Sequence, residues 1–241
     1  EIMSPILRNV LPKSGFNRNF PWTPIYFLAQ DIGLDIIHPW HEQYLIQLKE
    51  LIEHSRLGNI TGKEIRSTSE LIRLEAGNTG SFSDIKWSTA KHYITNSWIK
   101  SLFIYLHSQQ IKLTDTIPQL TGFRQRDTAI MDHINPSTLS VIQTQQINQC
   151  RLFLKITHLS ELCDATGTYV MINAWKGEYT TSLNDYKWPT TPKKLADQYW
   201  TTWRAYLMTN FCDSQRKLKH PLGPWNSEIR NSWKWFYNSN E

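Results

Sequence analysis

The chain has 241 residues, 40% hydrophobic and 20% charged, with a net charge of +5 and a pI near 9.0. This composition belongs to a globular protein and excludes a disordered one, and so mild a charge tolerates an acidic partner without demanding it. Three cysteines (Cys150, Cys163 and Cys212) form no disulfide framework, which points to a reducing cytoplasmic or nuclear compartment. No apolar run reaches the ~18 residues of a membrane span. The N-terminus, Glu1-Ile2-Met3-Ser4-Pro5, shows no initiator Met and no signal-peptide pattern, so the chain reads as a piece of a longer protein.

In chain order, Ile2–Val10 is a short amphipathic segment stopped by Pro12, and Ser14–Pro21 is a loop. Ile25–Ala29 reads as a short buried strand. Trp40–Arg56 is a helix ended by Gly58, with Leu45, Leu48, Leu51 and Ile52 on its core face. Thr61–Glu64 has the form of a capping box for a helix reaching Ala76 and stopping at Gly77. Trp87–Gln110 is helical with a break near Thr95-Asn96, and Ile111–Ile117 alternates like an edge strand.

Phe123–Asp127 is a polar joint and the expected boundary between two packed parts, 1–125 and 126–241. Beyond it come a short helix (Asp127–Ile134) and a longer one capped by Ser137 or Thr138. Leu139, Ile142, Ile147, Cys150 and Leu154 line the inner face of the longer helix. His158–Cys163 is a helical turn or two, Asp164–Gly167 turns the chain, and Thr168–Ile172 reads as a strand. Pro192 suits the first turn of a helix running from Lys193 to about Phe211. Trp233, Trp235 and Tyr237 repeat every second residue, as on one edge of a ribbon. The expected fold is therefore mainly α with a few short β-strands.

The stretch from Lys187 to Tyr237 holds six of the eleven tryptophans. Nine Lys or Arg against three acids are interleaved with them. Such a pattern can meet phosphates with cations and bases with rings, or it can be an aromatic core with a solvated basic face. No reaction is legible. There is no adjacent acid pair for a two-metal site and no Gly-x-Ser-x-Gly elbow. Gly77–Gly80 lacks the Gly-Lys-Ser/Thr of a phosphate loop. His38-Pro39-Trp40-His41 places two imidazoles three apart without further ligands, and Cys150 falls on an apolar face.

Three stretches together resemble a known family. They are Ile2–Ile6 with Leu11–Pro21 and Ile32-Gly33-Leu34; Asn148–Leu154 with Leu159–Leu162; and Trp200–Arg204 with Pro221–Trp225 and Trp233–Tyr237. In order and spacing they resemble the region downstream of the reverse-transcriptase domain in retrotransposon polyproteins of diatoms and other protists. Asp31-Ile32-Gly33 stands where relatives usually read Gly-Gly. The resemblance implies a thumb- or connection-like region, which falls in 1–125; the residues themselves make 126–241 a helical, Trp-rich module. It implies an upstream polymerase domain in the parent chain and RNA, DNA or a hybrid as partner, while the lack of a catalytic constellation points to a non-catalytic segment with no cofactor or metal. The residues expected to touch nucleic acid are Arg18, Lys193, Lys194, Trp200, Arg204, Arg216, Lys217, Lys219, Trp225 and Trp233. The alternative is a structural or protein-interaction domain.

Overall fold

The structure, a computed structural model, describes residues 3–15, 17, 25–26, 38–113, 122–178 and 186–226. The chain divides into two compact units, Glu1–Glu50 and Leu51–Glu241. Gln125 lies inside the second. The architecture is mainly α-helical, and extended chain among the described residues is limited to isolated antiparallel bridges.

In the first unit, α1 (Met3–Lys13) ends one residue past Pro12, and Leu11 and Ile25 are buried while Val10 is exposed. Ile25 and Tyr26 are helical rather than extended. The rest of that expected strand lies outside the described residues, as do Ile32–Ile36, Ile117, the 233–237 ribbon, Arg18 and Trp233. α2 (Pro39–Ser55) begins in the first unit and ends in the second, and it opens on a proline, where a missing N–H costs nothing. Its apolar stripe is wider than the face it buries. Leu51 is buried and Leu48 half-buried, but Leu45 and Ile52 stay 50% and 49% exposed. These two lie about 100° round the helix from Leu51, so the expected core face is rotated toward Tyr44 and Leu51.

The second unit contains α3 (Ile60–Ala76), α4 (Trp87–Ala90), α5 (Trp98–Ser108), α6 (Val141–Leu154), α7 (Ile172–Lys176) and α8 (Asp197–Asn210). Single 3₁₀ turns occupy Phe82–Asp84, Ile130–His133 and Leu159–Leu162. α6 packs on α8, and between them lie Ile147, Cys150, Leu154, Trp203 and Leu207, all buried. The polar tips of the core aromatics find carbonyls, as buried Trp and Tyr require. Trp203 Nε1 donates to Ala174 O at 3.2 Å, and the Tyr206 hydroxyl donates to Ile130 O. A second apolar cluster stacks Phe103 between Phe82 (4.8 Å) and Trp87 (5.7 Å).

Arg151 joins these parts. Its side chain is 0% exposed. Nε donates to Asn148 Oδ1 (3.0 Å), Nη1 to Ile156 O (3.0 Å), and Nη2 to Leu74 O and Glu75 O (3.0 Å for the latter). Asn148 Nδ2 also donates to Glu75 O at 3.0 Å. The guanidinium thus satisfies carbonyls that the end of α3 leaves without helical partners. Burial pulls its pKa down to about 10, so it stays a cation at neutral pH. Gly77 closes α3 at φ 68, and a Cβ there would sit 2.7 Å from the Arg151 Cζ, so both conformation and space demand glycine.

Other buried charges anchor the long connections. Arg73 donates to Gly80 O at 2.9 Å and lies over the Phe82 ring. Glu75 accepts from Thr95 N–H (2.8 Å) and its hydroxyl, while Lys100 donates to Ile94 O and to Asn96 Oδ1 (2.9 Å). That loop splits the expected 87–110 helix more widely than a break at Thr95 and leaves Trp98 37% exposed.

Further boundaries move for local reasons. Asn59, not Thr61, caps α3 by accepting Gly62 N–H at 2.8 Å. Ser140, not Ser137 or Thr138, caps α6 and forms a box with Gln143; Asn135 takes residues 137–138 into a turn. Ile142 consequently falls in the first turn of α6 and is 66% exposed. Asp127 is drawn away from the 3₁₀ turn at Ile130–His133 because its carboxylate accepts from Phe123 N–H, Thr128 N–H and Ser160. α8 starts at Asp197, leaving Pro192 outside it. Residues 111–113 form no strand.

Two stability predictions follow from these contacts. Arg151→Ala removes a donor from four buried acceptors, of which Glu75 O keeps Asn148 Nδ2, and should cost about 3–5 kcal/mol in urea unfolding; a cost under ~1 kcal/mol would show that the carbonyls find other partners. Leu48→Ala, at a half-exposed site, should cost only about 1 kcal/mol by the same measurement.

Candidate nucleic-acid interface

Two short turns define the candidate surface, and each is headed by an aspartate. At Asp164-Ala165-Thr166-Gly167, Oδ1 of Asp164 accepts Thr168 N–H (3.0 Å), and the Asp164 carbonyl accepts Gly167 N–H (2.9 Å). Gly167 has φ 70. Asp213-Ser214-Gln215-Arg216 repeats this geometry: Oδ1 of Asp213 accepts Lys217 N–H (2.9 Å), and its carbonyl accepts Arg216 N–H (3.0 Å). Arg216 takes the left-handed position, at φ 67.

The segments leaving these turns meet through single antiparallel bridges. Cys163 faces Val170, Tyr169 faces Lys217, and Cys212 faces Leu218. Leu218 N–H donates to Thr168 O (2.8 Å) and Val170 N–H to Arg216 O (2.9 Å), so Tyr169 and Lys217 form a non-hydrogen-bonded pair. In such a pair the side chains project to one side and lie close together. Alternation then sorts the residues. Cys163, Val170, Leu218 and Cys212 point inward and are buried. Tyr169, 44% exposed, and Lys217 point outward. Ile172, expected in the same strand, instead begins α7.

Arg124 braces this layer from behind. Its buried guanidinium donates to Gly223 O (2.8 Å) and Ala165 O (3.1 Å) and lies 5.0 Å from the Trp225 ring centre. Arg124 also bridges Trp225, and Gln125 N–H donates to Pro224 O at 2.9 Å. The polar joint at 123–127 is therefore where the segment 222–226 is bound.

The residues expected to touch nucleic acid separate into groups. Lys193, Lys194, Lys217 and Lys219 are exposed. Lys219 Nζ donates to Thr209 O (2.6 Å) at the end of α8, and half-buried Arg216 donates to Val170 O (3.0 Å). Arg204 is half-buried on α8, within 3.4 Å of Thr201 Oγ1. Lys193 and Lys194 precede α8, while Lys219 is tied to Thr209, which lies about 18 Å along the helix from Asp197 at 1.5 Å per residue. The cations therefore form two sets. Trp200 is buried: its ring meets Phe153 edge-on at 5.6 Å and leaves no room for a Cβ on Gly177. Its ring faces are core surface and cannot stack a base, which corrects that expectation. Trp225 is half-buried under Arg124.

Among the described residues, an exposed ring beside the cations is Tyr169, which the sequence reading did not single out. The Asp-x-x-Gly turn followed by Thr168-Tyr169-Val170 was the available signal. Its partner was hidden because the matching turn carries Arg216 where glycine is usual.

Elsewhere, titratable groups serve backbone. Ser160 Oγ donates to Asp127 Oδ2 at 2.6 Å. Asp132 accepts from Asn78 Nδ2 (2.9 Å) and the Thr79 hydroxyl (2.6 Å). Glu161 accepts from Thr157 N–H (2.6 Å), its hydroxyl (2.7 Å) and His158 N–H (2.9 Å); burial pushes its carboxyl up while those bonds pull it down. His158 is 0% exposed, with Nδ1 2.7 Å from Thr157 Oγ1 and Nε2 without a hydrogen-bond partner among the described residues. Among the described residues no three His, Cys, Asp or Glu are grouped to hold a metal ion. No protein-family model, no curated protein and no solved structure matches the chain.

All three thiols are buried, and burial pushes each pKa up, that of Cys212 to about 11. In a thiol titration at pH 8, none of Cys150, Cys163 and Cys212 should react before denaturant is added. Rapid native labelling of Cys163 or Cys212 would show that the inner face of the bridged layer opens.

Proposed function

We propose that this chain is a non-catalytic nucleic-acid-binding segment of a retroelement polyprotein, acting in the cytoplasm or nucleus beside an upstream reverse-transcriptase domain. The single observation that carries the binding role is the Tyr169–Lys217 pair, an exposed ring held next to an exposed cation. Cations meet phosphates and rings meet bases, and both are present on one edge. The parentage rests on the order of the three stretches that resemble the region after the polymerase domain. In this reading 1–125 is the thumb- or connection-like part, and the module from 126 carries the contact edge.

A second reading, a structural or protein-interaction domain, is favoured by Trp200 and Trp203. Both are core residues of α8, and Arg216 and Lys219 spend hydrogen bonds on backbone carbonyls.

A salt titration of binding to labelled oligonucleotides separates the two readings. Nucleic-acid binding predicts measurable affinity at low ionic strength that falls linearly with the logarithm of salt, and Lys217→Gln lowering the slope by about one. No salt-sensitive binding would leave the structural reading in place. The purified fragment should also show no metal-dependent primer extension or nuclease activity, and activity that survives removal of contaminants would overturn the non-catalytic assignment.

A further inference from the structure

We infer that the edge formed by Tyr169 and Lys217 takes single-stranded nucleic acid, with an unpaired base stacked on the Tyr169 ring; this rests on the nucleic-acid reading above. The Tyr169 backbone is fixed on three sides. Its N–H reaches Asp164 Oδ1 at 3.2 Å, its carbonyl accepts Asp164 N–H at 2.9 Å, and the flanking residues bond Arg216 and Leu218. The side chain, by contrast, has no hydrogen bond or ring contact with any described residue, and it is 44% exposed. An aromatic ring so displayed on a hydrogen-bonded backbone is a preorganised platform.

Charge decides the state of the strand. A duplex hides its base faces, so the ring would add nothing, and binding would rest on phosphate contacts alone. Each phosphate contact adds affinity and steepens the salt dependence, so duplex binding of that kind grows with the number of free cations. This edge offers Lys217, with Lys219 and Arg216 partly committed to Thr209 O and Val170 O, and the turn carboxylates of Asp164 and Asp213 offset part of their charge. Lys193 and Lys194 precede the N-terminus of α8, whereas Lys219 is tied to Thr209 near its C-terminus. Few cations and one open ring suit a single strand, where stacking supplies much of the affinity and tolerates any base. The salt dependence should accordingly be shallow.

The test uses the full chain with oligothymidylate and a duplex of equal length across a salt series. Tyr169→Ala and Tyr169→Thr should weaken single-strand binding by roughly 5- to 100-fold with the salt slope unchanged. Tyr169→Phe should bind like the parent chain, and duplex binding should be weaker than single-strand binding and indifferent to all three. Thermal unfolding of each variant controls for stability, and Thr serves if Ala unfolds, since a β-branched residue suits the extended position. If the ringless variants bind single strands as tightly as the parent chain while Lys217→Gln still lowers the slope, the stacking inference fails and the broader reading survives. Preferential duplex binding has the same consequence. Absence of salt-sensitive binding to either oligonucleotide overturns both.

Discussion

The guanidinium of Arg151 is buried among carbonyls from two helix ends, those of Leu74 and Glu75 at the close of α3 and that of Ile156 just past α6. A cation there is tolerable only because nearly every N–H finds an acceptor, and the acceptors are tolerable only because the cation is present. Its presence fixes Gly77 and places Asn148. It also sets the exit of α6, where Lys155 takes a left-handed conformation at φ 56. The Leu159–Leu162 turn is held by Glu161 and Asp127, and the bridged segments follow directly from it.

The same device recurs through the second unit. Connections between its helices are long and carry little regular structure, so their backbone groups need partners from side chains. Arg73, Glu75, Lys100, Arg124 and Glu161 are all buried, and each reaches loop backbone. Two exposed-side aspartates, Asp164 and Asp213, do this for the turns bordering the candidate interface. That interface is thus a by-product of loop satisfaction: two similar turns set two segments in a register that leaves Tyr169 and Lys217 on the outer side. A slip of one residue would bury Tyr169 and expose Val170.

Helix existence was legible where apolar spacing was strong. The helices ending at Ser55, Ala76 and Asn210, and the glycine stop at Gly77, were readable to within a few residues. Phase and caps were less so, because they depend on tertiary partners. Leu45 and Ile52 belong to a stripe broader than its contact, and Ile142 is stranded in a first turn set by Ser140. The role of Asn148-Gln149-Cys150-Arg151 could not be read from spacing, since its acceptors lie more than seventy residues upstream. Lys193, Lys194, Lys217 and Lys219 are exposed, but composition could not reveal that Lys193 and Lys194 precede α8 while Lys217 and Lys219 follow it. Trp200 illustrates the ambiguity of aromatic-rich basic stretches: the pattern fits a stacking platform and a core equally, and Gly177 beneath the ring decides for the core.

The most direct measurement of the account is an amide and aromatic chemical-shift map of the isotope-labelled chain titrated with oligothymidylate at low salt. Perturbations should concentrate at Thr168–Val170 and Ser214–Lys219, with the Tyr169 ring resonances shifted upfield by the stacked base. Shifts confined to other surfaces, such as the exposed face of α2, or no shifts at all, would contradict it.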